Sequence, residues 1–401
     1  MNINKNINIS NIMISILIVS IAIAPAFALG EGNRNLMLIG IMFISPLIIL
    51  MYPRISGSDI WLLLFMASII IIPLLHQPAS MRWSTVLYSC MFCLTFMAYR
   101  RLLERDSLTI NGYFKIIKYL IYAFFIVLLI QQFCVLTGLP VFNLANYDEY
   151  NPWKLNSLSA EPSHTARVVA LLMFCYITIK EIISEKAYSF NDNIREDKWI
   201  WLAFIWTMVT MGSATAFLFL PLVLLKFVRI RNIIPIIFIL FGIYYLIDLV
   251  GGYMTLERTL KVFMATLSLD EYKIIEADHS AAMRIIPAII CAKMINLSNL
   301  DGWFGRGIDY TSLILYKYVP GIQPGTSGGA VFSFALDYGI IAATIFLLFS
   351  FITTFNRKDY LSIAFWILLV AINALNTQIT WLAIILLFTN KYFQNTYSLR
   401  R

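Results

Sequence analysis

Residues 199–228 read WIWLAFIWTMVTMGSATAFLFLPLVLLKFV. A helix crosses the hydrocarbon core of a bilayer with about 20 apolar residues. These 30 positions are therefore either one long helix or two short ones joined at Met211-Gly212-Ser213-Ala214-Thr215. The run at 360–392 poses the same question, because Asn373, Asn376 and Gln378 interrupt it. Further apolar runs fall near 9–29, 36–52, 60–75, 84–99, 114–137, 164–183, 232–250 and 329–354.

Basic residues decide between the two readings, since Lys and Arg collect in the cytoplasmic loops of membrane proteins. If both ambiguous runs are hairpins, the chain has twelve spans with both termini inside. The inside segments then hold Lys5, Arg54, Arg100, Arg101, Arg105, Lys115, Lys118, Lys180, Lys186, Arg195, Lys198, Lys226, Arg229, Arg231, Arg357, Lys358, Lys391, Arg400 and Arg401. The short outside segments hold only Arg34, Arg82, Lys154 and Arg167. Reading 199–228 as a single span would turn the Lys226–Arg231 cluster and the segment near Arg357 outward, so the hairpins are preferred.

Composition agrees. Of the 401 residues, 60% are hydrophobic and 13% charged, and the mean hydropathy is +0.77. Soluble domains carry about 25% charge, so a soluble enzyme, a disordered chain and a fibrous protein are excluded. The fold class expected is an all-α polytopic membrane protein of about 12 transmembrane helices, with a large exterior loop between helices 9 and 10. The net charge of +8 reads as cytoplasmic anchoring and not as nucleic-acid binding. Cys90, Cys93, Cys134 and Cys175 lie in apolar runs and Cys291 stands alone in a polar segment, so no disulfide framework is expected. Ala26-Phe27-Ala28 resembles a signal-peptidase site, but with so many later spans an uncleaved first helix is the preferred reading.

Two exterior segments remain, Leu139–Ser163 and Gly251–Gly328. The longer one balances seven basic against seven acidic residues, holds amphipathic stretches at 253–269 and 281–295, and reads as a folded subdomain. The expected organisation is a membrane domain of helices 1–9 (1–250), the loop subdomain (251–328) and helices 10–12 (329–401).

There is no G-x-x-x-x-G-K-[ST] phosphate loop, no D-x-D and no His pair at metal-ligand spacing among His76, His164 and His279, so no cofactor and no metal is expected. Ser159-Ala160-Glu161-Pro162-Ser163-His164-Thr165-Ala166-Arg167 stands out. Pro162 suits a first helical turn, which puts Glu161 just before helix 6, where the helix dipole favours a carboxylate. Ser163, His164 and Arg167 share a helix face. The bland alternative is that Glu161 and Arg167 merely neutralise each other as a cap. A second candidate is Asp278-His279-Ser280-Ala281-Ala282-Met283-Arg284 with Gly302-Trp303-Phe304-Gly305-Arg306-Gly307; a solvated helix and a turn are the alternative. A third is Pro324-Gly325-Thr326-Ser327-Gly328-Gly329, with Asp337-Tyr338-Gly339 in the helix that follows. Glycines and hydroxyls before a helix present N–H groups to anions, or form an ordinary loop and cap.

With these patterns in place, the chain resembles the bacterial Wzy-type O-antigen polymerases and, more broadly, the O-antigen ligase superfamily. SAEPSHTAR (159–167) resembles the family's Glu-Pro-Ser element, and TMGSATAFLFL (210–220) its segment between two short helices. The pair HSAAMRIIPA (279–288) and GWFGRGIDY (302–310) resembles the arginine helix and glycine turn of the loop. SGGAVFSFALDYGIIAATIFLLF (327–349) resembles the element that re-enters the membrane. Two departures favour polymerase over ligase: the ligase-type His-Asn is missing near Gly328, and Ser-Arg of the short hairpin is Ser213-Ala214 here.

The resemblance implies a glycosyltransferase of lipopolysaccharide biosynthesis in the bacterial inner membrane, with its large loop in the periplasm. The implied substrates are oligosaccharide repeats linked to undecaprenyl pyrophosphate; membrane lipids and a chain-length regulator protein are the implied partners. Without a metal, arginines must stabilise the leaving pyrophosphate. Glu161, Arg284 and Arg167 are the expected catalytic residues, and His164, His279, Arg306, Ser213 and Ser327 the expected substrate contacts. The rival readings are an O-antigen ligase and a lipid-linked oligosaccharide flippase. A flippase is expected to have short loops and charges within helices of both halves, whereas here the charges cluster outside.

Overall fold

The protein, described here from a computed structural model, is almost wholly helical over residues 9–23, 28–29, 34–105, 107–141, 147, 150–228, 254–318, 325 and 330–399. The apolar run at 232–250 and Ser327 lie outside the described residues. Four described helices are long and apolar enough to cross a membrane: Gly57–His76, Trp83–Leu103, Ile110–Thr137 and Ala330–Thr354. The expected count of twelve spans goes beyond these four.

In chain order the helices are α1 (Ile9–Ile23), α2 (Leu36–Met51), α3 (Gly57–His76), α4 (Trp83–Leu103), α5 (Ile110–Thr137), α6 (Pro162–Ser184), α7 (Phe190–Glu196), α8 (Lys198–Thr210) and α9 (Ala214–Leu224). They continue with α10 (Met254–Leu267), α11 (Glu271–Ala277), α12 (His279–Met294), α13 (Leu300–Phe304), α14 (Tyr310–Tyr318), α15 (Ala330–Thr354), α16 (Leu361–Trp366) and α17 (Gln378–Leu399). A two-residue strand pair, Ala28–Leu29 with Arg34–Asn35, joins α1 to α2. Both ambiguous runs break where their polar residues stand. Residues 199–228 divide into α8 and α9 at Met211-Gly212-Ser213, with Gly212 at φ +71°. Residues 360–392 divide after a π-helical turn, Ile367–Ala371, that follows α16.

The chain forms two compact units. One takes residues 1–44, 98–259 and 385–401. Its centre is α6, which is buried on every side from Val168 to Lys180, the pattern of a helix in the middle of a bundle. Its neighbour α5 starts on Thr109, whose Oγ1 accepts the Gly112 N–H at 3.1 Å, and ends on Gly138 in the left-handed region. At the basic end of this unit Lys180 is ion-paired to Glu196 (2.9 Å) and Asp197, and Lys226 to Glu181 (3.5 Å). These pairs tie the end of α6 to the α7–α8 junction and to the end of α9.

The other unit takes residues 45–97 and 260–384. It joins the α3–α4 hairpin to α10–α15 and α16. Aromatic rings fill its centre: Phe65 lies against Phe334 and Phe346, and Phe92 stacks on Trp381 with ring centroids 5.7 Å apart. The segment after α10 docks on the turn between α3 and α4. His76 Nε2 lies 2.9 Å from Asp301 Oδ1, and Thr85 Oγ1 donates to Asp309 Oδ2 at 3.0 Å.

This unit also contains a close backbone crossing. α15 is broken at Gly339, which takes φ +89°, ψ 158°. The break leaves the carbonyls of Leu336 and Asp337 without their partners four residues on. The turn after α13 replaces them: Arg306 N donates to Leu336 O (2.9 Å) and Gly307 N to Asp337 O (3.2 Å). Gly305 and Gly339 permit the approach. A Cβ on Gly305 would stand 2.3 Å from Asp337 O, and one on Gly339 2.1 Å from Trp303 O.

Candidate functional site

The loop before α6 is built around Gln131 of α5. Gln131 Nε2 donates to Asn156 Oδ1 (3.0 Å), and its Oε1 accepts the Ser157 N–H (2.8 Å). Ser157, held at φ 48°, donates its hydroxyl to the Phe124 carbonyl (2.6 Å). Asn156 O in turn accepts the hydroxyl of Thr165, one turn into α6. All four polar side chains are buried, and polar groups at membrane depth are stable only when satisfied in this way. The loop is thereby fastened to α5 below and α6 beside it.

That fastening sets Glu161. It occupies the N-cap position of α6 with extended φ/ψ (−143°, 152°), as the following Pro162 requires. Its carbonyl accepts the His164 and Thr165 N–H groups (3.0 and 3.2 Å) and so opens the helix. Its carboxylate does not cap the helix; Oε2 accepts the Ser163 hydroxyl at 3.0 Å. His164 and Arg167 are half-buried in the first two turns of α6. Glu161, Ser163, His164 and Arg167 thus lie at the start of α6, with Glu161 and Ser163 hydrogen-bonded to each other.

Ser213 comes to this same end. Gln132 donates to Thr210 Oγ1 (2.7 Å) and accepts from Trp206 Nε1 (3.0 Å), which holds the end of α8 against α5. The α8–α9 turn lies on the loop before α6, where a Cβ on Gly212 would be 3.1 Å from Trp153 O. Ser213 begins α9 and is buried.

The remaining candidates belong to the other unit. His279 and Arg284 lie on α12, and their side chains are outside the described residues, as is the whole of Ser327. The Arg306 guanidinium donates to the Tyr310 hydroxyl (3.1 Å) and the Met294 carbonyl (3.3 Å) and lies 5.5 Å from the Tyr310 ring centre. It fastens the end of α12 to the start of α14. Cys291 is fully buried; burial pushes its thiol up to about 11, and Ser333 Oγ donates to its sulfur at 3.6 Å. Among the described residues no three His, Cys, Asp or Glu side chains are grouped to hold a metal ion.

Sequence reasoning singled out neither Gln131 nor Asn156. The signal for Gln131 was present: Gln131-Gln132 is a polar pair inside the apolar run 114–137, and such residues in a span face protein partners. Asp337 was noted as a charge within a helix, but its partner Thr311 was not foreseen. No family model matches this chain, and neither a curated protein nor a solved structure matches it.

Proposed function

We propose that this chain polymerises oligosaccharide repeats carried on undecaprenyl pyrophosphate at the outer face of a bacterial inner membrane. The observation that carries the reading is the Glu161-Pro162-Ser163 element: a carboxylate at the mouth of a buried helix, engaged by Ser163 and not by the helix N–H groups. The likeness of this element, and of the three others quoted above, to the polymerase family supplies the reaction.

In that reaction the hydroxyl of one lipid-linked repeat attacks the anomeric carbon of the growing glycan. A glycosidic C–O bond forms as the bond to pyrophosphate breaks. Glu161 takes the hydroxyl proton. Undecaprenyl pyrophosphate leaves with its charge met by guanidinium groups, for which Arg167 and Arg284 are assigned. His164, His279, Ser213 and Ser327 contact the sugars and phosphates. Arg306 enters this reading chiefly as a brace of the glycine turn, because its N–H groups serve Tyr310 and Met294.

The twelve-span topology belongs to the same proposal, and contacts within each unit support it. The charge count assigns the α3–α4 turn and the segment after α10 to the exterior, and these two are joined by His76–Asp301 and Thr85–Asp309. It assigns residues 153–154 and the α8–α9 turn to the exterior, and these also touch. It assigns Lys180, Lys198 and Lys226 to the cytoplasm, where the ion pairs of α6, α7–α8 and α9 gather.

Deleting the gene and resolving the surface polysaccharide on a gel tests the function. A product capped by a single repeat is expected. Polymer that forms but never reaches its final anchor would mean a ligase, and absence of exported repeats a flippase.

A further inference from the structure

α10 is amphipathic in sequence, with Leu256, Leu260, Phe263, Met264 and Leu267 recurring along one stripe. A helix of a water-soluble subdomain turns such a stripe inward. Here the described part of the helix does the reverse. Ala265, on the opposite side, packs into the core formed by Ile274, Ala282, Ile286, Leu315 and Leu336. Phe263, Met264 and Leu267 are 53%, 50% and 66% exposed. Leu269 and Tyr272, in the turn and at the start of α11, are also exposed, while Ile274 between them and the core is fully buried.

Chain length says what covers this stripe. The apolar run 232–250 has 19 residues, enough to cross a bilayer, and only Gly251-Gly252-Tyr253 separate it from α10. Three extended residues reach at most about 11 Å. α10 therefore starts at the membrane surface, within reach of the headgroup layer. There an exposed apolar stripe flanked by a lysine finds acyl chains and an aromatic side chain finds the interface. We infer that α10 lies in the outer-leaflet interface of the bilayer, with Phe263, Met264 and Leu267 immersed in lipid and Lys261 at the headgroups. The occupant of this face is lipid, not water and not a second copy of the chain. The inference rests on reading 232–250 as a span and does not depend on the glycosyl-transfer reaction.

Nitroxide labels test it. Phe263→Cys, Leu267→Cys and, as an exposed control on α11, Glu276→Cys are labelled in the full-length protein. The protein is held in nanodiscs of phosphatidylethanolamine and phosphatidylglycerol. The five native cysteines are buried, so labelled wild type serves as the blank. Labels at 263 and 267 are expected to collide several-fold more often with oxygen, which partitions into acyl chains, than with a water-soluble nickel chelate; the order should reverse at 276. Free access of the nickel chelate to 263 and 267 would overturn the inference by placing them in water. Shielding of both positions from both reagents would overturn it by placing them against protein. Because the readout is membrane depth and not polymer, its failure leaves the polymerase reading standing, and failure of the polymerase reading leaves it untouched.

Discussion

The carboxylate of Asp337 accepts both the backbone N–H of Thr311, at 2.8 Å, and the Thr311 hydroxyl, at 3.0 Å. Thr311 is in the first turn of α14, so Asp337 caps that helix from 26 residues away, at the break in α15. Both side chains are buried. Removing one partner of a buried hydrogen bond leaves the other unsatisfied, at about 1–3 kcal/mol. Thr311→Val, which keeps the backbone bond, should fall near the lower end, and Asp337→Ala, which leaves both donors without an acceptor, near the upper end. Thermal unfolding of the detergent-purified protein should rank them in that order.

Gly305 and Gly339 should tolerate no side chain. Each adopts a positive φ, and each would drive a Cβ to within 2.3 Å of a backbone oxygen. Positive φ with ψ near 160° is a region essentially reserved to glycine and costs an L-residue about 1–3 kcal/mol, and the clash adds displacement of α15 from the turn. Gly305→Ala and Gly339→Ala should therefore abolish accumulation of folded protein. Gly40, in α2 with open space around its Cβ position, is the control. Gly40→Ala should be neutral or stabilising by up to about 1 kcal/mol. Membrane levels of the three variants decide the point.

Glu161→Gln keeps size and hydrogen-bonding reach but removes the charge and the proton affinity. Since the side chain does not cap α6, protein level should stay at that of the parent while the polymer ladder collapses to single repeats. Glu161→Asp should retain part of the ladder. A full ladder from the Gln variant would remove Glu161 from the mechanism.

Arg284 and Arg306 should separate. Arg306→Ala loses its hydrogen bonds to Met294 O and Tyr310, and so should lower protein stability by about 1–3 kcal/mol. Arg284→Ala should spare protein level and abolish polymer, with Arg284→Lys recovering part because the planar fork is lost. Immunoblots and polymer ladders from the same cells distinguish the two behaviours, and full activity of Arg284→Ala would remove it from the reaction.

A periplasm-active reporter fused at Asn299 should be active, and one fused at Asn191 silent. Asn299 precedes α13, whose Asp301 meets His76 at the α3–α4 turn, and Asn191 lies in α7, beside the Lys180 ion pairs. The opposite pattern would overturn the charge-based topology.

Helix ends were legible in the sequence wherever local chemistry marks them. Gly212-Ser213 and Asn373–Gln378 interrupt apolar runs, and both runs break there. Pro162 fixed the start of α6, and with it the backbone position of Glu161. The break at Gly339 was not legible. SFALDYGIIAA reads as one apolar helix, and a single glycine inside such a run is compatible with an unbroken one. The break depends on a turn some 30 residues earlier in the chain that supplies substitute hydrogen bonds. The same holds for Gln131: its polarity within a span marks it as partnered, but only the fold pairs it with Asn156 and Ser157. Local conformational preferences are written in consecutive residues, whereas long-range hydrogen bonds are written in the packing.

The crossing at Gly339 also bears on how this part of the molecule can open. The carbonyls of Leu336 and Asp337, both in buried residues, look to Arg306 and Gly307 for their N–H donors, and a buried acceptor left unpaired costs about 1–3 kcal/mol. Lifting the turn alone would strand two acceptors; straightening α15 alone would collide with Trp303. The 305–307 turn and the two halves of α15 accordingly form one cooperative opening unit. Amides on both sides of the crossing should therefore exchange together, with a shared protection factor.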